Sequence, residues 1–230
     1  MTSSFSLKTI AFLTEAGQQN DPLWLDAQAD RYDKLVKAPF VDLAVGLKAA
    51  LQPQLPNYHF PTQGIGRIKK TANKIVAGMP CYKDWLSISA SIPSSSRFER
   101  NPHLFFGILP NIQPYMGVVV AGGLFMPSGP QLKKMRMAIA DDASAFHMLF
   151  ADPAFQQRFK TNFSRNEVAT RLPRGFDANH ADVDWLMLKS FLVIKNISAA
   201  QFASPNLLTS VVEDFKQLAR LNRLIESVLD

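Results

Sequence analysis

Chemistry-bearing residues are scarce in this chain of 230 residues, which has one cysteine, Cys81, and four histidines, His59, His103, His147 and His180, far apart in sequence. A single cysteine excludes a disulfide framework. Scattered histidines leave any metal site to be assembled from dispersed carboxylates, so no metal is expected. The GxSxG, P-loop and HExxH patterns are absent, and Ala121-Gly122-Gly123 has neither the spacing nor the strand-to-helix setting of a dinucleotide fingerprint. No catalytic residue and no cofactor are assigned on this inventory. Long apolar runs are missing as well. GVVVAGGLFM, from Gly117 to Met126, is too short to cross a bilayer as a helix and reads as a buried strand. The start MTSSFSLKTIAFLTE lacks the charged and apolar regions of a secretory signal, so the expectation is a cytoplasmic protein without a membrane span.

Acidic residues are missing from the middle of the chain. Residues 43 to 140 hold 11 Lys and Arg against only Asp84 and Glu99, although the net charge of the whole chain is only +6. No acid lies between Leu43 and Lys83, so Lys48, Arg67, Lys69, Lys70, Lys74 and Lys83 lack a counter-charge nearby in sequence. Such a run projects a positive field toward an anionic partner, or it guards a sheet edge from self-pairing.

A hydrophobic content of 47% is enough for one substantial core, and one domain over 1–230 is expected. N-terminal helices are expected over 6–51. Ser6 is placed to cap a short one, and Asp21-Pro22 to open a second. Leu25, Ala29, Tyr32 and Val36 give the second an apolar face, Pro39 should break or bend it, and Phe40, Ala44, Leu47 and Leu51 restart the stripe. Prolines 53, 56 and 61 end helical structure, and TQGIGRIKKTANKIVAGMP follows as strand or loop within a sheet-rich middle, 62–126.

From Trp85 the period becomes two, with Leu86, Ile88, Ala90 and Ile92 alternating with Ser87, Ser89 and Ser91. SIPSSSRFERNP is the following loop. LFFGIL and YMGVVVAGGLFM are continuous apolar runs joined by PNIQP, as in neighbouring central strands of an antiparallel sheet, and Gly122-Gly123 marks a bulge or a close backbone approach. Helices and strands are expected over 130–200. Helices start at Pro130, after Asp141 or Asp142, and at Pro153, and strands are read over 167–172 and 191–195. A C-terminal helix over 205–229 carries Leu208, Val211, Phe215, Leu218, Ile225 and Leu229 as its buried stripe. Helices at both ends around a mainly antiparallel sheet make an α+β protein.

The stretch LPRGFDANHADVDWLMLKSFLV, 172–193, admits two readings. Pro173 and Gly175 fit a turn, with Asp177 or Asn179 satisfying the start of the helix that holds Trp185. Alternatively Arg171, Arg174, His180 and Lys189 converge on an anion, with Asp177 orienting His180 as an acid–base pair. Cys81 has Lys83 two residues on, but no base is identifiable, and a structural role is favoured.

These segments resemble a known family. LPRGFDANHADVDWLMLKSFLV, AGGLFMPSGPQLKKMRMAIADDASAFHMLFADPAFQQRF and FLTEAGQQNDPLWLDAQADRYDKLVKAP occur in the order found in the family called domain of unknown function 2461, from Phe12 to about Arg223. The resemblance implies an α+β domain with a helix-flanked antiparallel sheet, and no activity is established for the family. Members usually carry a polar basic run, Arg-Phe-Ser-Lys-Asp-Lys-x-Pro-Tyr-Lys, where this chain has ANKIVAGMPCYKDW. Only Asn73-Lys74-Ile75, Pro80 and Tyr82-Lys83 match, with Arg67, Lys69 and Lys70 just upstream.

The expected function is non-catalytic binding of an acidic protein partner through Arg67, Lys69, Lys70, Lys74 and Lys83, as in an adaptor or a toxin-neutralising immunity protein. Two alternatives stand beside it. One is an enzyme acting on a phosphorylated or carboxylated small molecule gripped by Arg171, Arg174 and His180. The other is a nucleic-acid-binding protein, although no aromatic residue is interleaved between Arg67 and Lys74.

Overall fold

A computed structural model describes residues 5–94, 96 and 98–230. It resolves the order of elements as α1 (Leu7–Ala16), α2 (Trp24–Ala27), α3 (Ala29–Tyr32), a π-helical turn (Asp33–Lys37), α4 (Ala38–Leu51), β1 (Leu86–Ser91), β2 (His103–Leu109), β3 (Gly117–Leu124), α5 (Gly129–Asp141), α6 (Ser144–Ala151), α7 (Pro153–Phe159), α8 (Val183–Leu186), β4 (Phe191–Ile197), α9 (Ala199–Phe202) and α10 (Leu207–Leu229). A short 3₁₀ turn occupies Ala72–Lys74. The strands form an antiparallel sheet in the order β1-β2-β3-β4, so the class is α+β. Within the described residues, no helix is long and apolar enough to cross a membrane.

The chain divides into two compact units. One comprises Met1–Ala90, Phe105–Val120 and Asn196–Val212, the other Ser91–Leu104, Ala121–Lys195 and Glu213–Asp230. In the first, Ser6 caps α1 as expected, and Phe12 and Leu13 are buried. Phe5 stacks on Phe202 at 4.8 Å between ring centroids and meets Phe40 edge-on at 6.4 Å.

The second expected helix departs from its prediction. It starts at Trp24 rather than at Asp21-Pro22, because the Asp21 carboxylate accepts from Leu23 N–H and closes a turn first. Ala29 of its stripe is exposed. Pro39 does not end helical structure either, since it lies in the first turn of α4, where a proline is tolerated. Its missing N–H would otherwise leave the Leu35 carbonyl without its α-helical donor. The Thr9 hydroxyl donates to that carbonyl at 2.8 Å. From there the stripe Phe40, Ala44, Leu47, Leu51 is buried as expected.

The middle segment holds less sheet than its composition suggests. Over 62–85 no strand forms, and only an isolated antiparallel bridge joins Lys69 to Tyr82. β1 buries Leu86, Ile88 and Ala90 on one face, and Ile92 lies beyond its end. Of the loop expected after it, Ser95 and Arg97 lie outside the described residues, as do residues 1–4. β2 and β3 are the two central strands.

In the second unit, Gly123 has φ +120, and a Cβ there would stand 2.0 Å from the Phe191 carbonyl oxygen. That is the close backbone approach implied by the glycine pair. Ser128 caps α5 through a reciprocal box with Gln131, and Asp152 caps α7 by accepting from Ala154 and Phe155 N–H. Phe150, Phe163, Trp185 and Phe191 form an aromatic core with largely edge-on contacts of 5.0–5.6 Å. Residues 167–172 do not form the expected strand. Only the bridge Val168 to Leu188 is made, and the chain otherwise runs as turns to Gly175.

Candidate functional site

Two groups of side chains combine charge with exposure, one in each unit. In the first unit the loop after α4 carries the basic residues. The 3₁₀ turn Ala72–Lys74 and the bridge Lys69 to Tyr82 fold it back on itself, which brings together charges that are up to 16 positions apart in sequence. Lys83 shows the result. Burial first, then the charges of Arg67 and Lys74, hold its ammonium below the ordinary lysine range. That ammonium also lies 4.9 Å over the ring of Trp85. Arg67 acts on Tyr32 too, opposing the upward shift that burial and Asp33 impose on its phenol, which donates to the Gly66 carbonyl at 2.7 Å.

Lys69 and Lys70 are held differently. Their ammonium groups donate to the Pro22 and Pro80 carbonyls, each at 2.8 Å, and so pin the loop to the chain around it. Cys81 is buried as well, its thiol donating to the Asn20 carbonyl at 3.1 Å. The five basic residues of the middle segment thus divide by geometry. Arg67 and Lys74 both act electrostatically on Lys83, and none of the three is ion-paired among the described residues. Beside them in the loop, Val76 and Met79 are 63% and 58% exposed.

In the second unit the 172–193 stretch is largely a turn. Asp177 accepts from Asn179 N–H at 2.9 Å, and it neither caps α8 nor holds the His180 ring. Both His180 ring nitrogens are taken by backbone. Nδ1 accepts from Asp182 N–H at 3.0 Å, which leaves Nε2 to donate to the Ala140 carbonyl at 3.2 Å. The Asp177–His180 acid–base pair expected from spacing is therefore not formed. The histidine that does pair with a carboxylate is His147, with Nε2 2.7 Å from Asp182 and its ring stacked on Trp185 at 4.5 Å. Arg171 and Arg174 are exposed.

Lys189 instead lines a cleft of about 730 Å³ with Met126, Leu132, Arg136, Asn166, Glu167 and Val168. Arg136 and Glu167 were not singled out from sequence. The i, i+4 spacing of Leu132 and Arg136 on α5 was the available signal, since it puts both on one helix face. Among the described residues, no group of three His, Cys, Asp or Glu is placed to hold a metal ion.

These features define an α+β protein whose charged groups are gathered in a basic loop surface and in an open cleft. The chain belongs to the family described as conserved hypothetical protein (DUF2461), which matches residues 8–223. No curated protein and no solved structure matches the chain.

Proposed function

We propose that this is a cytoplasmic, non-catalytic binding protein that holds an acidic protein partner through Arg67, Lys74 and Lys83. The observation that carries the reading is the loop that folds Arg67, Lys74 and Lys83 together, where burial first and then both other cations, with no carboxylate among the causes, depress the Lys83 ammonium. Like charges gathered without a counter-charge cost free energy in the isolated protein, and an acidic surface docking on them recovers it. Exposed Val76 and Met79 in the same loop add apolar contact area of the kind found inside the polar rim of an interface. An adaptor and a toxin-neutralising protein would use such a surface alike, because both depend on fast, selective encounter.

Affinity capture from nuclease-treated lysate, followed by binding kinetics with the captured partner, tests the reading. The variant R67E/K74E/K83E should lose capture, and its association rate should fall at least about tenfold at low salt. The pair K69M/K70M leaves that surface charge in place and should associate at the rate of the unaltered protein. Unchanged association in the triple variant would remove the basis for this surface. Recovery of nucleic acid alone would replace the protein partner with a polyanion.

A further inference from the structure

Arg136 lines the cleft of the second unit in an unusual state of satisfaction. It projects from α5, and burial lowers the pKa of its guanidinium. Its Nε donates to the Leu186 carbonyl at 2.8 Å and its Nη2 to the Leu188 carbonyl at 2.9 Å. Those two bonds occupy one edge of the planar fork and fix its orientation. The adjacent Nη1–Nη2 edge, with two parallel N–H groups, is bonded to no acceptor among the described residues. A free guanidinium edge of this kind matches the two oxygens of a carboxylate.

Two more groups share the cleft. Lys189 adds a second cation, with no ion pair among the described residues. Glu167 is the only acid in the lining, and one of its oxygens is already engaged. The Ser190 hydroxyl donates to Oε2 at 2.7 Å and accepts from Met126 N–H at 3.1 Å. Oε1 is left to accept from a ligand. Apart from Asn166 the remaining wall is apolar, and two of its members, Met126 and Val168, are 61% and 37% exposed. Met126 is held in a left-handed conformation, φ 47, by a chain that also ties its N–H to Ser190.

We propose that this cleft binds a small carboxylic acid with an apolar body and a hydroxyl or amino donor, the carboxylate on Arg136 and Lys189 and the donor on Glu167. The two cations outweigh the one acid, which selects an anion. The fixed fork selects a planar carboxylate over a tetrahedral phosphate. The volume lies within the range of small-molecule sites, about 300–1,000 Å³. This site is independent of the basic loop and would stand if the protein partner did not exist.

Ligand-observed NMR and calorimetry on the full chain provide the test, with 3-phenyllactate and phenylalanine as probes and 3-phenyllactamide and inorganic phosphate as controls. At least one of the two carboxylates should bind saturably, and the amide and phosphate at least about tenfold more weakly. R136Q and K189Q should each weaken binding, R136Q by at least about tenfold. Because R136Q also removes two bonds to backbone, V168W serves as a second variant. It fills the cleft from an exposed position and should abolish binding while the thermal midpoint stays near that of the unaltered protein. Absence of saturable binding by both carboxylates, equal binding of phosphate, or unaltered binding in V168W would each overturn the proposal.

Discussion

The Asp214 carboxylate is fully shielded from water, and the Lys195 ammonium meets it at 2.5 Å from β4. Arg158 shares the Oδ1 oxygen with it, its Nε 2.7 Å away. A buried carboxylate survives only when its charge is matched, and here two cations from separate elements match it. Asp214→Asn should therefore destabilise the protein by about 3–5 kcal/mol, because it strands both cations in a poorly solvated site. Lys195→Met should cost clearly less, since Arg158 still faces the carboxylate. Urea unfolding at neutral pH would measure both, and equal losses would show that the two cations do not back each other up.

Thr9 and Pro39 should prove to be energetically coupled. Proline cannot donate to Leu35, and the buried Thr9 hydroxyl does so instead. Thr9→Val should cost about 1–3 kcal/mol, the penalty for an unsatisfied buried carbonyl. In a Pro39→Ala background, where an N–H is restored, the same change should cost less. Additive effects in the double-mutant cycle would break the link between the two residues.

A pH effect is expected from His103, at the start of β2. Burial is the largest cause that pulls its imidazole down to about 4 from an ordinary value near 6.5, opposed by a bond to the backbone at Asn101. In that window the unfolded chain binds more protons than the folded one, so stability rises with pH. The contribution is fully present above about 6.5 and is lost as pH falls toward about 4. His103→Gln should flatten the denaturant midpoint between pH 7 and pH 4.5 relative to the unaltered protein. A midpoint that moves just as steeply in the variant would assign the pH dependence to other groups.

Much of the architecture was legible because it depends on local periodicity. The alternation from Leu86 to Ala90, the apolar runs of β2 and β3 and the stripe of α10 each follow from where side chains must point once a strand or helix exists. The cap at Ser6 was readable for the same reason, since a cap joins residues only two or three apart, whereas those at Ser128 and Asp152 were not read from sequence. The segments 62–85 and 167–172 misled because β-like composition does not make a strand without a partner to pair with. Each obtained one isolated bridge.

The functional residues divide along the same line. Sequence alone determined that the middle of the chain is basic and that metal and nucleophile inventories are thin, and it left 172–193 open between a turn and an anion site. Only the tertiary structure decided which charges act together. Lys69 and Lys70 neighbour Arg67 in sequence, yet they turn to backbone carbonyls, while Lys83, 16 positions away, feels the charge of Arg67. Spacing suggested Asp177 for His180, but the ring is held by Ala140 and Asp182, from chain 40 and two positions away. Arg136 and Lys189 come to one cleft from elements more than 50 residues apart. The physical reason is that a charge has a long reach in space and none along the chain. Hydrogen bonds to backbone carbonyls, made when the loops close, decide which cations are tied to the chain.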